Sequence, residues 1–253
     1  MSVFEHLAWP SATGLLLGAV AFLLGALVKG TLGVGLPLVA VPLLSLGFPT
    51  MQAIGMVAVP VLISNGWQAW DTGVSRPGVQ RFWPLILMQV VFTVLTVPLT
   101  LALPESALRR LLAVVVLLAV VLNAVPIKLA VPPRQERWWS AVVGMLSGIL
   151  GGISSLTGPI VISYLMNLRL PREMFVGTIS IIYLAAAVPL YGAMAVQGRF
   201  TLTDLVLSAL AMAPVAVGLA VGKRVRGKLS ELVFRRVLLG FLVLLALLLI
   251  FKN

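Results

Sequence analysis

Apolar stretches of 10 to 25 residues, separated by short loops that gather nearly all of the charge, run the whole length of this chain. A helix that crosses a bilayer needs about 20 consecutive, mostly apolar residues. The stretches fall at 11–28, 34–46, 51–70, 82–103, 107–127, 139–151, 159–168, 173–197, 202–222 and 232–251. A soluble domain carries roughly a quarter of its residues charged, because its surface faces water. Here 10% are charged and 60% hydrophobic, with a mean hydropathy of +1.13. The pattern predicts an all-α polytopic membrane protein. Trp9, Trp70, Trp83, Trp138 and Trp139 sit at or beside segment ends, and Trp67 lies one turn from an end. Tryptophan favours the headgroup level, so these residues support the boundaries.

Two stretches, 34–46 and 159–168, are too short to be ordinary spans, and a repeat relates them. An offset of 122 places Gly30 on Gly152, Pro37 on Pro159, Pro49 on Pro171 and Gly55 on Gly177, without a gap. Leu and Val coincidences are common in membrane sequences. Four Gly and Pro coincidences are not, since each residue fixes a backbone property. Further on, Arg109-Arg110 falls on Arg235-Arg236 at an offset of 126. The chain is therefore read as one membrane domain of two homologous halves, 1–130 and 131–253. Each half holds a short Gly/Pro-interrupted helix pair followed by three spanning helices.

The charge, 18 basic against 7 acidic residues for a net +11, bears on orientation. In a soluble protein such an excess points to nucleic acid; here the basic residues flank apolar spans, as expected of cytoplasmic loops. If both members of each short pair have the same depth, the halves enter from opposite sides. The loops then divide four basic residues outside against thirteen inside, with Lys29 set aside. Parallel halves give seven against eleven. The charge rule favours inverted repeats with both termini outside. Ten spans and six spans plus two re-entrant hairpins remain equally compatible with the count.

In the first half the interruption reads Lys29-Gly30-Thr31-Leu32-Gly33-Val34-Gly35-Leu36-Pro37, and in the second Gly151-Gly152-Ile153-Ser154-Ser155-Leu156-Thr157-Gly158-Pro159. Paired short, interrupted helices in inverted repeats mark a transport site near the midplane. Each proline suits the first turn of the helix that follows. The N-terminus of that helix offers unpaired N–H groups and the positive end of a dipole to an anion. Thr31, Ser154, Ser155 and Thr157 add hydroxyl donors, and Gly30, Gly33, Gly35, Gly152 and Gly158 let a ligand approach the backbone. The competing reading is that these glycines serve close helix packing.

Lys29 has two readings at this point. At the tip of a hairpin it would complement an anion inside the membrane; at the end of a full span it would reach out to the headgroups. Asn65 and Tyr183, on the segments after the two short ones, are candidates to face the site, interhelical hydrogen bonding being the alternative. Every carboxylate lies in a loop or at a segment end. Coupling through a buried acid is thus not expected, and a uniporter or a carrier of a weak acid fits better. Cysteine is absent and the single histidine, His6, sits in the N-terminal tail. No metal site or cofactor is expected, and Met1–Pro10, with Glu5 and His6 and no basic residue, is not read as a cleaved signal peptide.

At Lys29–Leu44 and Gly148–Leu165 the sequence resembles the TauE/SafE, or sulfite exporter, family. The resemblance rests on Gly30-x-x-Gly33-x-Gly35 leading to Val41-Pro42-Leu43-Leu44, and on Gly158-Pro159-Ile160-Val161-Ile162-Ser163-Tyr164-Leu165. Length, two halves and the paired arginines before the last helix agree with it. The resemblance implies movement, with export foremost, of a small anion such as sulfite, a sulfonate or a related carboxylate across the bacterial cytoplasmic membrane. Ser154, Ser155 and Thr157 stand where the family usually has glycines, which bears on the substrate.

The expected partners are a small anionic substrate and the lipid bilayer, with no nucleic acid; a homodimer is compatible with the sequence. An anion channel or a non-transport membrane subunit is the alternative. An intramembrane enzyme lacks a thiol, a histidine in a span or a buried carboxylate pair. The inverted topology predicts that cysteines placed at Arg76 and Arg134 label only from the cytoplasm, and one at Glu105 only from outside. Labelling of Arg76 and Arg134 from opposite faces overturns it.

Overall fold

The computed structural model describes residues 10–73, 76–125, 131–226, 228 and 230–252. Glu5, His6, Trp9 and Lys128 lie outside the described residues, as do the side chains of Arg76, Arg172 and Glu231. Among the described residues the regular elements are all helical: α1 (Ala12–Leu32), α2 (Leu36–Leu44), α3 (Thr50–Met56), α4 (Ala58–Asp71), α5 (Arg76–Leu101) and α6 (Glu105–Ala124) come first. A short 3-10 turn at Pro133–Gln135 precedes α7 (Glu136–Ser154), α8 (Gly158–Asn167), α9 (Arg172–Val196), α10 (Leu202–Leu210), α11 (Met212–Val225) and α12 (Glu231–Phe251). Six stretches among the described residues are long and apolar enough to cross a membrane: Ala12–Leu32, Gly78–Leu101, Glu105–Ala124, Glu173–Val196, Leu202–Val225 and Val233–Phe251. This is a multi-pass helical membrane protein.

The helix starts follow local chemistry. Gly14 donates to the Ser11 hydroxyl at 3.2 Å to open α1, and Thr201 with Asp204 forms a reciprocal capping box on α10, which satisfies N–H groups that a helix cannot pair itself. Glu105 serves at a distance: its carboxylate accepts from the Thr50 N–H at 2.8 Å and the Thr50 hydroxyl at 2.6 Å, so the first residue of α6 caps α3.

The two short helices do not cross. At 1.5 Å per residue, 9 and 10 residues cover about half of a ~30 Å hydrocarbon layer. Helix α2 folds back along α1: a Cβ on Gly25 would lie 2.8 Å from the Leu36 carbonyl oxygen, and Phe48 reaches Gly14. Helix α8 folds back along α7 in the same manner, with the Tyr164 hydroxyl 3.2 Å from the Glu136 carbonyl and 2.8 Å from the Ser140 hydroxyl. Each hairpin returns to the end at which it began.

Beyond their own hairpins, α1 and α7 pack closely on helices of the opposite half. Helix α1 lies parallel to α11, where a Cβ on Gly218 would come within 2.5 Å of the Leu23 carbonyl and one on Gly222 within 2.4 Å of that of Leu27. Helix α7 lies parallel to α5 through Gly144, Gly148 and Gly152, spaced by four and facing the Leu85 and Gln89 carbonyls and Thr96. Glycine at every fourth position lets backbones approach this closely where no hydrophobic effect drives association. Side chains lock both contacts at one end. Arg226 donates to the Thr31 and Gly30 carbonyls, each at 2.6 Å. Arg81 forms a paired contact with Glu136 at 2.5 and 2.8 Å. Helices α4 and α9 run antiparallel, with Gln68 near the end of α4 beside Ser180 and Gly55 on α3, just ahead of α4, beside Met194. Helices α6 and α12 do likewise, Arg109 donating to the Lys252 carbonyl at 3.0 Å.

These contacts make a specific expectation. Gly148→Val or Gly222→Val forces a side chain onto a facing carbonyl and should destabilise by about 1–3 kcal/mol or more. Gly192→Val, which meets open space, should change little. Thermal unfolding in detergent checks it: equal loss of stability in all three variants refutes the close-packing account.

Candidate functional site

The two interruptions are shorter than the sequence suggests. Helix α1 continues through Gly30, Thr31 and Leu32 and ends at Gly33, whose φ of 88° is left-handed; helix α7 continues through Gly152 and Ser154 and ends at Ser155, φ 62°. Gly33 and Ser155 occupy equivalent positions at the offset of 122, and each closes its helix alike, the N–H donating to the Lys29 and Gly151 carbonyls at 2.7 and 2.8 Å. Glycine takes this conformation freely; for serine it costs about 1 kcal/mol. Only residues 33–35 and 155–157 are therefore non-helical. Pro37 and Pro159 follow in the first turns of α2 and α8.

Both breaks border one cavity of about 40 Å³. Gly35, Pro37 and Leu38 line it from the first half, and Gly151 with Ser155–Pro159 from the second; Ile162, Tyr183, Ala186, Ala187, Leu190 and Val61 complete the wall. This is room for a few heavy atoms, against the roughly 10–15 Å³ that a single water needs. Of the residues singled out in the sequence, Gly35, Pro37, Ser155, Thr157, Gly158, Pro159 and Tyr183 meet here. The Tyr183 hydroxyl is buried without a hydrogen-bond partner, and a Cβ on Gly158 would lie 2.6 Å from it. It is thus aimed at the start of α8. The Ser155 hydroxyl lies 3.2 Å from that of Tyr191.

The other seven residues lie around the cavity rather than on it. Gly30 packs against Gly222 and Leu219, and Gly152 against Thr96, the helix-packing role. The Thr31 hydroxyl donates to the Leu27 and Gly222 carbonyls at 2.9 and 3.2 Å, and that of Ser154 to the Leu150 carbonyl at 2.8 Å; these hydroxyls are spent on backbone. Gly33 presents its carbonyl to the Gln68 amide at 3.1 Å. Lys29 sits on the last turn of α1, not on the turn between helices, and is 3% exposed. Its ammonium donates to the Asn65 side-chain carbonyl, while the Asn65 amide donates to the Val61 carbonyl at 2.9 Å. No carboxylate pairs with Lys29 among the described residues. Lys29 is therefore enclosed in protein and does not reach the headgroups, and Val61 connects its partner to the cavity wall.

Sequence reasoning passed over Tyr191 and Gln68. Tyr191 follows Tyr183 by eight residues, about two helical turns, so both point to one face of α9; that spacing was available in the sequence. Gln68 bridges the first break to the Ser180 hydroxyl at 3.3 Å, and its spacing from Gly33 gives no such hint.

A second, larger cavity of about 380 Å³ adjoins the first and shares Gly35, Leu38 and Ile162 with it. Arg169, Arg235 and Asn123 stand among its apolar walls. No curated protein and no solved structure matches the chain. A family model described as "Sulfite exporter TauE/SafE" matches residues 17–249, which takes in both breaks, both short helices and Arg235-Arg236, which the structure places within the last helix rather than before it. The chain belongs to the TauE/SafE sulfite exporter family.

Proposed function

We propose that this protein is a secondary carrier, working in export, that holds a small oxyanion such as sulfite, a sulfonate or a carboxylate between its two helix breaks. The observation that carries the reading is the shared cavity: the starts of α2 and α8, from different halves, border the same small space. Two helix N-termini facing one another repel unless an anion or water lies between them. Lys29 lies behind the first break, where its ammonium, when protonated, acts on an anion with little screening. Tyr183 brings a hydroxyl that has nothing else to bond. Pro37 and Pro159 remove one N–H each from the first turn, leaving the remaining donors for the ligand.

The antiparallel courses of α4 with α9 and of α6 with α12 support reading residues 1–130 and 131–253 as inverted repeats, in line with the charge count. Under that topology the loops with Arg76, Arg134 and Arg169 face the cytoplasm, and both termini face out.

Mirrored positions of the two halves favour a carrier over an open channel. The larger cavity is lined by Met166 on α8 and by Leu238 and Leu239 on α12, all at least partly exposed. Their counterparts Leu44, Leu112 and Ala113 are all 0% exposed, packed in the core. On that closed side Lys252 donates to the Ser45 and Leu46 carbonyls at 3.1 and 2.8 Å, tying down the end of α2. Burial lowers the pKa of Lys252 from its ordinary value, and Arg109 acts in the same direction. One side open and its mirror sealed is the arrangement that alternating access requires.

Two measurements test the reading. Tyr183→Phe removes an unpaired buried hydroxyl, so stability should hold or rise by up to about 1 kcal/mol while affinity for sulfite falls. Lys29→Met should weaken that affinity about tenfold or more, about 1.4 kcal/mol. Unchanged uptake of sulfite by proteoliposomes containing either variant removes that residue from the site. Because the chain has no cysteine, single cysteines report access directly. Leu238→Cys should react with an aqueous maleimide and Leu112→Cys should not, until Lys252→Ala loosens the closed side. Equal reactivity at both positions speaks for a channel.

A further inference from the structure

Equivalent positions around the two breaks carry complementary side chains. In the first half a polar tie runs from Lys29 to Asn65, and the offset of 122 places Gly151 and Ala187 there in the second half. In the second half a tie runs from Ser155 to Tyr191, with 3.2 Å between the hydroxyl oxygens. The same offset places Gly33 and Ala69 there in the first half. Each tie joins the end of the helix before a break to a later helix of the same half, across 36 residues. One half thus brings an amine up behind the shared cavity, and the other a pair of hydroxyls.

Counting protons shows what that pair has left over. Two O–H groups share one bond, and neither hydroxyl bonds anything else among the described residues. Ser155 lines the small cavity, whereas Tyr191 does not and is 5% exposed. If Ser155 donated, the Tyr191 proton would be buried without an acceptor, a desolvation cost with nothing in return. With Tyr191 as donor, the spare proton sits on Ser155, at the cavity wall. A phenol is also the more acidic hydroxyl, and so the better donor of the two. The Ser155 backbone is left-handed, φ 62°, a conformation that glycine takes without strain. The side chain that causes the strain is the one that presents the hydroxyl.

We propose that Tyr191 is a positioning residue for the anion site. By donating to the Ser155 oxygen it turns the Ser155 proton into the cavity, where that proton meets an oxygen of the bound anion. With the Tyr183 hydroxyl, the cavity then has two O–H donors from the second half, both directed by side chains of α9. The inference rests on the transport reading for its anion, and it adds a residue that does not touch that anion.

Variants separate the hydroxyl from the strain. Uptake of sulfite by proteoliposomes containing the full-length protein, equilibrium binding of sulfite and thermal unfolding in detergent are the readouts. Tyr191→Phe should raise the half-saturating sulfite concentration about three- to tenfold and leave the maximal rate unchanged. Ser155→Ala and Ser155→Gly should weaken binding to the same degree, although Ser155→Gly, freed of strain, should unfold about 2–4 °C above Ser155→Ala. Tyr191→Phe combined with Ser155→Gly should bind no more weakly than Ser155→Gly alone, because Tyr191 acts only through Ser155. Ser155→Asn tolerates the left-handed backbone and carries an N–H donor, so it should recover part of the affinity. An unchanged half-saturating concentration in Tyr191→Phe overturns the proposal. So do additive losses in the double variant, or Ser155 variants whose affinities simply follow their unfolding temperatures. Wild-type protein that fails to bind sulfite, or binding indifferent to both Lys29→Met and Tyr183→Phe, overturns the transport site and the relay with it. Binding weakened by those two changes but not by Tyr191→Phe removes the relay alone.

Discussion

A peptide N–H or C=O without a partner costs several kcal/mol in hydrocarbon, and this fold is arranged around two places where a helix stops and the chain turns back on it. At Gly33–Gly35 and Ser155–Thr157 the helix ends must find protein, water or ligand, because lipid offers them nothing. The ends of α1 and α7 are closed by left-handed caps. The Gly33 carbonyl takes the Gln68 amide. The starts of α2 and α8 have no side-chain cap, and they are the groups that border the small cavity. What the backbone leaves unpaired is what a ligand can use.

The glycine contacts follow from the same constraint. Two breaks can be enclosed only if surrounding helices come close, and Gly144, Gly148 and Gly152 on α7 with Gly218 and Gly222 on α11 bring backbone against backbone. Each hairpin is thereby held by the other half: α1 by α11, and α7 by α5. The cavity sits where these cross-packed hairpins meet, so neither half on its own contains it. Both Lys29 and Tyr183 depend on this exchange, since α4 and α9 bring Val61 and Tyr183 to the wall of one cavity, with Asn65, the partner of Lys29, bonded to the Val61 carbonyl.

Much of the fold was legible because its causes are local. Ten apolar segments and the positions of Pro37 and Pro159 correspond to the helices and to their first turns, since length, composition and proline act within a few residues. The offset that aligned Gly30 with Gly152 also aligns the ends of α1 and α7, at Gly33 and Ser155. The site was legible only in part. A row of glycines and hydroxyls reads alike whether it faces a ligand or a neighbouring helix. Gly35 and Thr157 face the cavity, whereas Gly30, Gly152, Thr31 and Ser154 are used by packing and by backbone carbonyls. Which helical face a residue occupies relative to α5 and α11 is a tertiary fact, and periodicity near a break does not fix it. Arg169 and Arg235 read as ordinary loop and helix-end cations, and only the fold shows that they border the larger cavity.

Positions related by the sequence offset differ in their surroundings, and that difference underlies the carrier reading proposed above. Leu112 and Ala113 pack to zero exposure while Leu238 and Leu239, seven and eight residues beyond the start of the equivalent helix, line open space. Side-chain chemistry alone does not force that difference, since Leu112 and Leu238 are the same residue type. The difference must then lie in how far each hairpin leans on its neighbours, and the closed side carries the added ties: Glu105 on Thr50, Arg109 and Lys252 on the end of α2. Such polar contacts contribute about 0.5–1.5 kcal/mol each, a total small enough for a bound anion to offset by its differential affinity for the two arrangements. A protein whose two sides can trade packing for access at that cost has a route for moving an anion without ever opening both sides together.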